Sequence, residues 1–431
     1  MRVLLTPLPV RSHFYNMVPL AWALRAAGHE VRVTMCPNMV DVVTGAGLTA
    51  LPVGDEMDLV DQAAKTELGP LDGFPFDDDG NPALTLEQID LFTSVDDDGP
   101  LEQLIRADDR YLDELVDVSR QWRPDLVVWD SMECSGPIVA RALGAGHVRI
   151  LVALDISGWL RTRYLADRAT RPPEERADPL SDWLGRKLAR FGATFDESMV
   201  LGQATIDPVS PWMRLPVDLD YLPMRFVPYN GRAVVPEWLR EPPTKPRVCV
   251  TRGLTTRQLS AVDGPHPAQS DRGRTVLETL VRGAAALDVE VVATLSAEEA
   301  GAMGDLPPNV RVLDYVPLNE LLPTCSAIIH HGSTTTQETA TVNGVPQLIR
   351  PGTYWDESRR AQLHADRGAG LVLDRDGCTE DDVRRQVARL IEEPSFAANA
   401  ARVRREVEES PSPHDLVPRL EELAAKAAAN R

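Results

Sequence analysis

The sequence predicts an α/β fold in which two domains each contain a parallel sheet covered by helices. Three observations support this prediction. The chain has 431 residues, more than one hydrophobic core usually holds. Strand-like and helix-like segments alternate in both halves, which is typical of parallel sheets with helical crossovers. A Pro-rich segment over residues 205–245 lacks helical spacing and separates the two alternating regions.

The first half predicts a doubly wound sheet. The apolar spacing of MVPLAWALRAAGH predicts a helix that ends at Gly28, and SGPIVARALG predicts another that ends at Gly144. Strands are predicted at RVLLTPL, EVRVTMC, PDLVVWD and HVRILVALD. Residues 66–110 are rich in Asp, Gly and Pro, and this composition predicts long loops of the kind that often bind ligands.

The second half restarts the alternation at residue 246. Strands are predicted at PRVCVTRG, VEVVATL, NVRVLDYV and SAIIHH, with a helix at ETLVRGAAALD. We therefore predict an N-terminal domain over residues 1–215, an interdomain linker over 216–245 and a C-terminal domain over 246–431. A Pro-introduced helix at about 411–431 either ends the second domain or packs back on the first.

Composition and charge exclude several functions. No stretch reaches the roughly 20 apolar residues of a membrane span, and a net charge of −20 argues against nucleic-acid and anionic-membrane partners. Five widely spaced cysteines without CxxC spacing indicate reduced thiols and a cytoplasmic location. The Asp77–Asp79 and Asp96–Asp98 runs are interpreted as solvated loop charge. No histidine or cysteine cluster has metal spacing, so no metal is expected.

The strongest local signal for function lies where an apolar strand, Ala327 to His330, enters a tight turn at Gly332. A helix opens there with four consecutive hydroxyl residues: Ser333, Thr334, Thr335 and Thr336. Four hydroxyls exceed what capping requires, and together with the free N–H groups of a helix start they predict an anion cradle. His331 can donate to a phosphate oxygen. An over-capped helix with a packed histidine is the alternative.

The next strand, VPQLIRPG, is followed by a polar loop that contains Tyr354, Trp355, Asp356 and Glu357. Ligands of doubly wound sheets lie beyond the C-terminal strand ends, so this loop and the His331 turn should face one site. The carboxylates can bind sugar hydroxyls or an ammonium group, and they equally suit a helix N-cap at Asp356. Neither a GxGxxG fingerprint nor a P-loop is present, which argues against NAD chemistry and P-loop phosphoryl transfer.

These residues resemble the GT-B glycosyltransferases of antibiotic biosynthesis, in particular the desosaminyltransferase-type enzymes that attach aminodeoxysugars to polyketide aglycones. The similar segments span nearly the whole chain in order: SHFYNMVPLAWALRAAGHEVRV, GLTALPVG, PDLVVWD, ATIDPVSPWMRL, FVPYNGRAVVPEWL, DYVPLNELLPTCSAIIHHG through GVPQLI, and SPSPHDLVPRLEEL. The resemblance implies two Rossmann-like domains facing each other across a cleft, with the acceptor in the first and a TDP-sugar in the second. It also implies a direct, metal-independent, inverting displacement.

The resemblance implies roles for individual residues of the second domain. The family's phosphate-binding groups correspond to His331, Ser333 and Thr336, with N–H groups from Thr334 and Thr335. The family's base-stacking aromatic corresponds to Tyr315, and Val316 corresponds to a residue whose backbone contacts the base. The sugar-contacting acid corresponds to Asp356, and Thr255 corresponds to a serine of the relatives' Gly-Ser turn. The chain departs from the family at Ser333-Thr334-Thr335, where relatives often have glycines.

His13 follows the first predicted strand, just before the first predicted helix, and corresponds to the family's catalytic histidine. The family's aspartate partner corresponds to Asp130, at the end of LVVWD. Both positions terminate parallel strands, so we expect contact between them. A positioned imidazole that takes the acceptor proton contributes roughly 10²–10⁴-fold, and a carboxylate fixes its tautomer. A capping or packing role is the alternative for His13.

The expected function is transfer of an aminodeoxysugar from TDP to an apolar polyketide aglycone of macrolide type, with oxygen and carbon acceptors both open. A nucleotide-sugar epimerase of GT-B fold and a catalytically silent partner of another transferase are the alternatives. Relatives of this type often work with a cytochrome-like auxiliary activator protein, and the resemblance predicts such a partner. A homodimer stays open.

Overall fold

The computed structural model describes residues 1–59, 75–77, 81–85, 108–254, 271–352, 356–375 and 377–430. These residues form two compact units. Unit 1 holds the described residues of Met1–Leu59, Pro75–Arg225 and Pro411–Arg431, and unit 2 holds those of Phe226–Ser410. The boundary therefore falls inside the predicted linker, since residues 216–225 belong to unit 1 and residues 226–245 to unit 2.

Among its described residues, unit 1 has one seven-stranded parallel sheet. Its strands are β1 (Arg2–Thr6), β2 (Glu30–Met35), β3 (Thr49–Pro52), β4 (Leu126–Asp130), β5 (Gly146–Ile150), β6 (Thr205–Asp207) and β7 (Tyr221–Pro223). The strand order is β3-β2-β1-β4-β5-β6-β7, with Thr6 of β1 beside Trp129 of β4. The winding direction reverses between β1 and β4, which is where doubly wound sheets bind ligands.

In the described part of unit 1 that precedes unit 2, the helices are α1 (Arg11–Ala26), α2 (Val40–Gly45), α3 (Asp109–Trp122), α4 (Ser135–Leu143), α5 (Ile156–Thr170), α6 (Pro179–Ala189) and α7 (Ser198–Leu201). The predicted start of α1 is wrong. The carbonyl of Val10 accepts from the N–H groups of His13 (3.1 Å) and Phe14 (3.2 Å), so His13 lies in the first turn of the helix and not before it.

The predicted strand HVRILVALD ends early, at Ile150. Asp155 instead caps α5 by accepting the N–H of Gly158 at 2.8 Å. The same carboxylate accepts from buried Arg149 at 2.5 Å and from the hydroxyl of Tyr221 at 2.7 Å. Arg149 lies on β5 and Tyr221 on β7. These buried polar contacts hold β7 in the sheet. Its segment lacks the alternation of apolar and polar residues that predicts a strand, and its prolines predict a linker instead.

Unit 2 has one six-stranded parallel sheet in the described part of its chain. Its strands are β8 (Arg247–Thr251), β9 (Glu290–Thr294), β10 (Val310–Leu313), β11 (Ala327–His330), β12 (Gln347–Ile349) and β13 (Gly370–Val372). The order β10-β9-β8-β11-β12-β13 reverses between β8 and β11, where Thr251 lies beside His330. Both units therefore have the doubly wound α/β topology that the sequence predicts.

The described helices of unit 2 are α8 (Asp271–Ala285), α9 (Ala297–Ala302), α10 (Leu318–Leu321), α11 (Thr334–Val342), α12 (Glu357–Asp366), α13 (Glu380–Glu392) and α14 (Pro394–Glu408). The core of the unit forms between sheet and helices, with Val250, Ile329, Leu348 and Val387 fully buried. None of the helices that the structure describes, in either unit, is long and apolar enough to cross a membrane.

A final helix, α15 (Val417–Ala429), returns to unit 1. It packs so closely on β5 that a Cβ on Gly146 would lie 3.0 Å from the carbonyl oxygen of Leu423. The fully buried Leu420 anchors it, and Arg419 forms a 3.1 Å ion pair with Asp220. Of the two placements that the sequence left open for this segment, the structure has the return to the first domain.

Close packing of α4 on the two central strands generates a stability prediction. A Cβ on Gly136 would lie 2.3 Å from Thr6 Oγ1 and 2.5 Å from Trp129 Cβ. We expect Gly136→Ala to lower the free energy of unfolding by about 2–3 kcal/mol, because the overpacked helix must shift. Gly185→Ala in α6 is the control: it meets nothing within 4 Å and should raise stability by up to about 1 kcal/mol. Urea denaturation measures both, and equal effects would contradict the packing argument.

Candidate active site

At the reversal point of unit 1, the Nδ1 atom of His13 lies 2.8 Å from Oδ2 of Asp130. Asp130 is fully buried, and its second oxygen accepts the N–H of Met132 at 2.9 Å. The His13 side chain is 16% exposed. Because a carboxylate only accepts, Nδ1 carries the hydrogen and Nε2 keeps a lone pair that can take a proton. The expected contact between the two residues is thus present, with geometry that suits a general base.

At the reversal point of unit 2, β11 ends in a turn at Gly332, whose φ is +98°. The N–H of Gly332 donates to Nδ1 of His330 at 3.0 Å. A Cβ on Gly332 would also lie 3.3 Å from Ile349 Cγ2. Both the left-handed backbone and this close approach favour glycine. Since its N–H is already bonded, Gly332 contributes to the predicted anion site through the shape of the turn.

The start of α11 has no side-chain cap, unlike the over-capped helix that the sequence left open as the alternative. Ser333 is the N-cap residue, yet its side chain accepts no helix N–H; its hydroxyl instead donates to Oγ1 of Thr336 at 3.0 Å. The Ser333 hydroxyl therefore leaves the first N–H groups of α11, including those of Thr334 and Thr335, to another acceptor. Such a helix start is the arrangement that binds phosphate and other anions.

Gly253, just after β8, bounds this site from the neighbouring strand and was missed by sequence reasoning. A Cβ placed on it would lie 3.1 Å from His331 Cε1, 3.5 Å from Thr336 Oγ1 and 3.7 Å from Ser333 Oγ. Its φ is +69°. The glycine in TRGLTT was a usable signal, because it follows a strand that ends at the same sheet edge. The structure thus brings together three predicted residues from the turn between β11 and α11 and the first turn of α11: His331, Ser333 and Thr336.

His331 and Glu357 are neighbours at this edge, with 4.0 Å between Nε2 and Oε1. Their side chains are 17% and 8% exposed. Burial lowers the pKa of His331, and burial raises the pKa of Glu357 to about 8. At neutral pH the pair therefore consists mainly of a neutral imidazole and a protonated carboxyl. Both groups can then donate hydrogen bonds.

Asp356, which precedes Glu357 in the chain, has Arg360 as its ion-pair partner. Its buried carboxylate is 3.0 Å from Nε of Arg360, which is also buried. Arg360 in turn donates to Oε1 of Gln337 at 2.7 Å. Asp356 occupies the N-cap position of α12 but makes no side-chain cap. Of the two predicted carboxylates, Asp356 therefore pairs with buried Arg360, and Glu357 lies beside His331.

Tyr315 follows β10 with 45% of its surface exposed, whereas Val316 is buried in the core. The Tyr315 hydroxyl donates to the carbonyl of Asn230, and the Asn230 side chain accepts the N–H of Asn319 at 2.9 Å. Asn230 belongs to the PYNG turn of the predicted linker, and sequence reasoning gave it no role. The turn thus holds the hydroxyl end of a partly exposed aromatic side chain.

Several predicted residues lie outside the described part of the chain: Thr255, Tyr354, Trp355, Asp78, Asp79 and Asp96–Asp98. Asp77 is described, and its carboxylate accepts the N–H of Asn81 at 2.8 Å, a local loop contact. Across the residues with described coordinates, no group of three or more His, Cys, Asp or Glu is placed to hold a metal ion.

Comparison with protein families gives two matches that follow each other along the chain. The family model described as "Erythromycin biosynthesis protein CIII-like, N-terminal domain" matches residues 22–253. The model of the corresponding C-terminal domain matches residues 278–423. The first match ends just after β8, and the second begins within α8 and includes the whole His331 turn.

Individual relatives are similar over nearly the whole chain. The 10-deoxymethynolide desosaminyltransferase of Streptomyces venezuelae is 42% identical over 99% of this chain and 98% of its own length. Among solved structures, the spinosyn forosaminyltransferase SpnP is 62% identical, with a TM-score of 0.84 and 99% of both chains covered. The glycosyltransferase VinC in complex with dTDP is 42% identical, with a TM-score of 0.85, over 99% of this chain and 100% of its own.

The tight approach of Gly253 to the His331 turn generates a binding prediction. We expect Gly253→Ala to weaken binding of thymidine diphosphate about fivefold, or ~1 kcal/mol, because the new methyl group displaces the imidazole and hydroxyls. Gly304→Ala is the matched control, since Gly304 has a φ of +65° and open space around it. Both variants carry the left-handed strain, but only the first crowds the site. Isothermal titration checks this, and equal affinities in the two variants would refute it.

Proposed function

The chain belongs to the erythromycin biosynthesis protein CIII-like family and is a glycosyltransferase of GT-B fold, and we propose that it moves a deoxysugar from thymidine diphosphate to a polyketide aglycone. The observation that carries the proposal is the His331 turn, where an uncapped helix start, an imidazole and two hydroxyls surround one position. The names of the desosaminyl and forosaminyl transferases, and the dTDP bound to VinC, support the donor class.

On the donor side, we propose that the diphosphate binds at the start of α11. The ring N–H of His331, the hydroxyl of Thr336 and the N–H groups of Thr334 and Thr335 donate to phosphate oxygens. The Ser333 hydroxyl joins them by rotating away from its present acceptor, Thr336 Oγ1. These fixed donors stabilise the negative charge that grows on the leaving diphosphate as the bond to the anomeric carbon breaks. Tyr315 stacks on the thymine, and the backbone of Val316 contacts its edge.

On the acceptor side, we propose that His13 is the general base for a hydroxyl acceptor. The acceptor oxygen forms a bond to the anomeric carbon while its proton moves to Nε2 of His13. The bond between that carbon and the diphosphate oxygen breaks, and its electron pair leaves with TDP, so the configuration inverts. Asp130 holds the imidazole and stabilises the imidazolium that forms.

We propose that the transferred sugar is an aminodeoxysugar and that Glu357 receives its ammonium group. A carboxyl beside His331 becomes a carboxylate when a cation binds, because the cation stabilises the charged form. The family correspondence gives Asp356 to the sugar, but its ion pair with Arg360 favours an indirect role in which it holds the start of α12.

We further propose that the enzyme works in the cytoplasm, needs no metal, and is activated by a cytochrome-like auxiliary protein, as the family resemblance predicts. Neutral donors at the His331 turn take the part that a metal plays in other transferases. The five cysteines form no disulfide. Full activity of the purified chain alone would remove the auxiliary protein from the proposal.

The base assignment predicts a selective loss of turnover. We expect His13→Ala to lower kcat about 10²–10⁴-fold, because no base then takes the proton from the hydroxyl of the aglycone. Binding of TDP should stay unchanged, since His13 lies in unit 1 and the diphosphate donors in unit 2. Product formation is followed by mass spectrometry with a TDP-aminodeoxysugar and a polyketide aglycone, in buffer containing EDTA.

Each other outcome of that experiment has a distinct meaning. Unchanged turnover in His13→Ala would remove His13 as the base for that acceptor. Conversion of the donor by the wild-type chain without an acceptor would favour an epimerase. Failure of the wild-type chain to bind TDP would support a silent partner and overturn the proposed function.

The Glu357 assignment predicts a pH dependence of donor binding. Its carboxyl has a pKa near 8 in the free protein and is protonated below that value. An ammonium group binds the carboxylate form of Glu357, so Glu357 releases its proton when the donor binds. The affinity for a TDP-aminodeoxysugar should therefore rise with pH, about tenfold between pH 6.5 and 8.5. Titration calorimetry without acceptor measures this affinity.

Glu357→Gln is the control for that prediction, because an amide cannot ionise. We expect a flat pH profile for the variant and a smaller preference for an aminosugar donor over a neutral one. TDP alone has no ammonium group, so its affinity should not rise over the same pH range. The same upward slope in Glu357→Gln would assign the effect to another group.

A further inference from the structure

His330 is buried within the sheet edge behind the diphosphate turn and uses both ring nitrogens. Its Nδ1 accepts the N–H of Gly332 at 3.0 Å. Because an amide N–H can only donate, Nδ1 is the acceptor and the ring hydrogen sits on Nε2. Nε2 lies 2.8 Å from Oε1 of Gln347, which accepts that hydrogen. The imidazole is thus neutral, in one defined tautomer.

Gln347 connects this histidine to the helix that follows the turn. Its side-chain N–H groups donate to the carbonyl of Gln337 at 3.2 Å and to Oγ1 of Thr341 at 3.0 Å, both in α11. Gln347 itself begins β12 and is fully buried. The position of Gly332 is therefore fixed relative to α11 by three successive side-chain contacts.

The same contacts continue to α12. Gln337 donates to the carbonyl of Arg360 at 3.1 Å, and Arg360 returns a bond to Oε1 of Gln337 and pairs with Asp356. Every side chain in this series is almost completely buried. In such surroundings an unmade hydrogen bond is costly, so each group holds its neighbour in one position.

We propose that His330 is a positioning residue for the donor diphosphate: by accepting the N–H of Gly332 it holds the turn in its left-handed form and so aims His331 and the start of α11. The proposal rests on the diphosphate site assigned above. In this proposal, the contact between His330 and Gly332 shapes the diphosphate site, whereas the contact between His330 and Gln347 holds the imidazole ring in place. Burial lowers the pKa of His330 to about 3, so Nδ1 stays an acceptor at ordinary pH.

Two variants separate the two contacts, because each amide side chain reproduces one ring nitrogen. In His330→Asn, Oδ1 takes the place of Nδ1 and keeps the bond from Gly332. In His330→Gln, Nε2 takes the place of the ring Nε2 and keeps the bond to Gln347. Each variant loses one buried hydrogen bond and some ring packing, so their thermal unfolding midpoints should fall by similar amounts.

We expect His330→Gln to raise the Kd for TDP about tenfold, because it loses the buried hydrogen bond from Gly332. We expect His330→Asn, which keeps that bond, to hold the Kd within about threefold of wild type. Equal weakening in both would show that the ring only packs, and unchanged binding in both would show that the turn holds itself. Either result overturns the proposal. If the wild type itself does not bind TDP, the proposed function fails first.

A measurement on the wild-type protein covers the case in which a variant does not fold. With ¹⁵N-labelled histidine, the His330 ring should appear as the neutral Nε2–H tautomer at pH 5, with and without TDP. The Gly332 amide should be protected from hydrogen exchange in both states, because His330 and not the phosphate accepts it. A Gly332 amide that becomes protected only when TDP binds would contradict the assignment.

Discussion

An acidic protein that binds a diphosphate must do so with local donors, because its overall field repels the ligand. Under the proposed function, this constraint accounts for the composition of the His331 turn. The net charge is −20, and the turn contains a neutral imidazole, hydroxyls and backbone amides where another enzyme would place lysine or arginine. Fixed dipoles of this kind act only within a few ångströms, so their positions decide whether binding occurs.

The need for fixed positions explains where the chemistry lies in the fold. In each sheet the winding reverses at two adjacent central strands, and the turns that follow those strands open at one edge. In unit 1, His13 follows β1 and Asp130 ends β4. In unit 2, Gly253 follows β8 and His331 follows β11. Hydrogen-bonded neighbouring strands hold residues that are distant in sequence close together.

The sequence predicted the strands and helices that depend on apolar spacing, and the family resemblance brought His13 and Asp130 together correctly. It did not predict β7, because a buried charge cluster around Arg149 holds that strand in place of an apolar pattern. Gly253 was missed because its role depends on a contact across strands. Ser333 was predicted among the anion-binding hydroxyls, and its bond to Thr336 cannot be read from composition. The catalytic roles themselves stay predictions.

The return of α15 to unit 1 has a consequence for biosynthesis. All described residues of unit 2 precede Pro411, whereas the part of β5 that α15 covers stays exposed until Leu420 and Leu423 have left the ribosome. Domains generally fold as units during translation. We therefore expect unit 2 to complete its core while the older part of the chain still exposes an apolar surface, which makes unit 1 the part that a chaperone would bind.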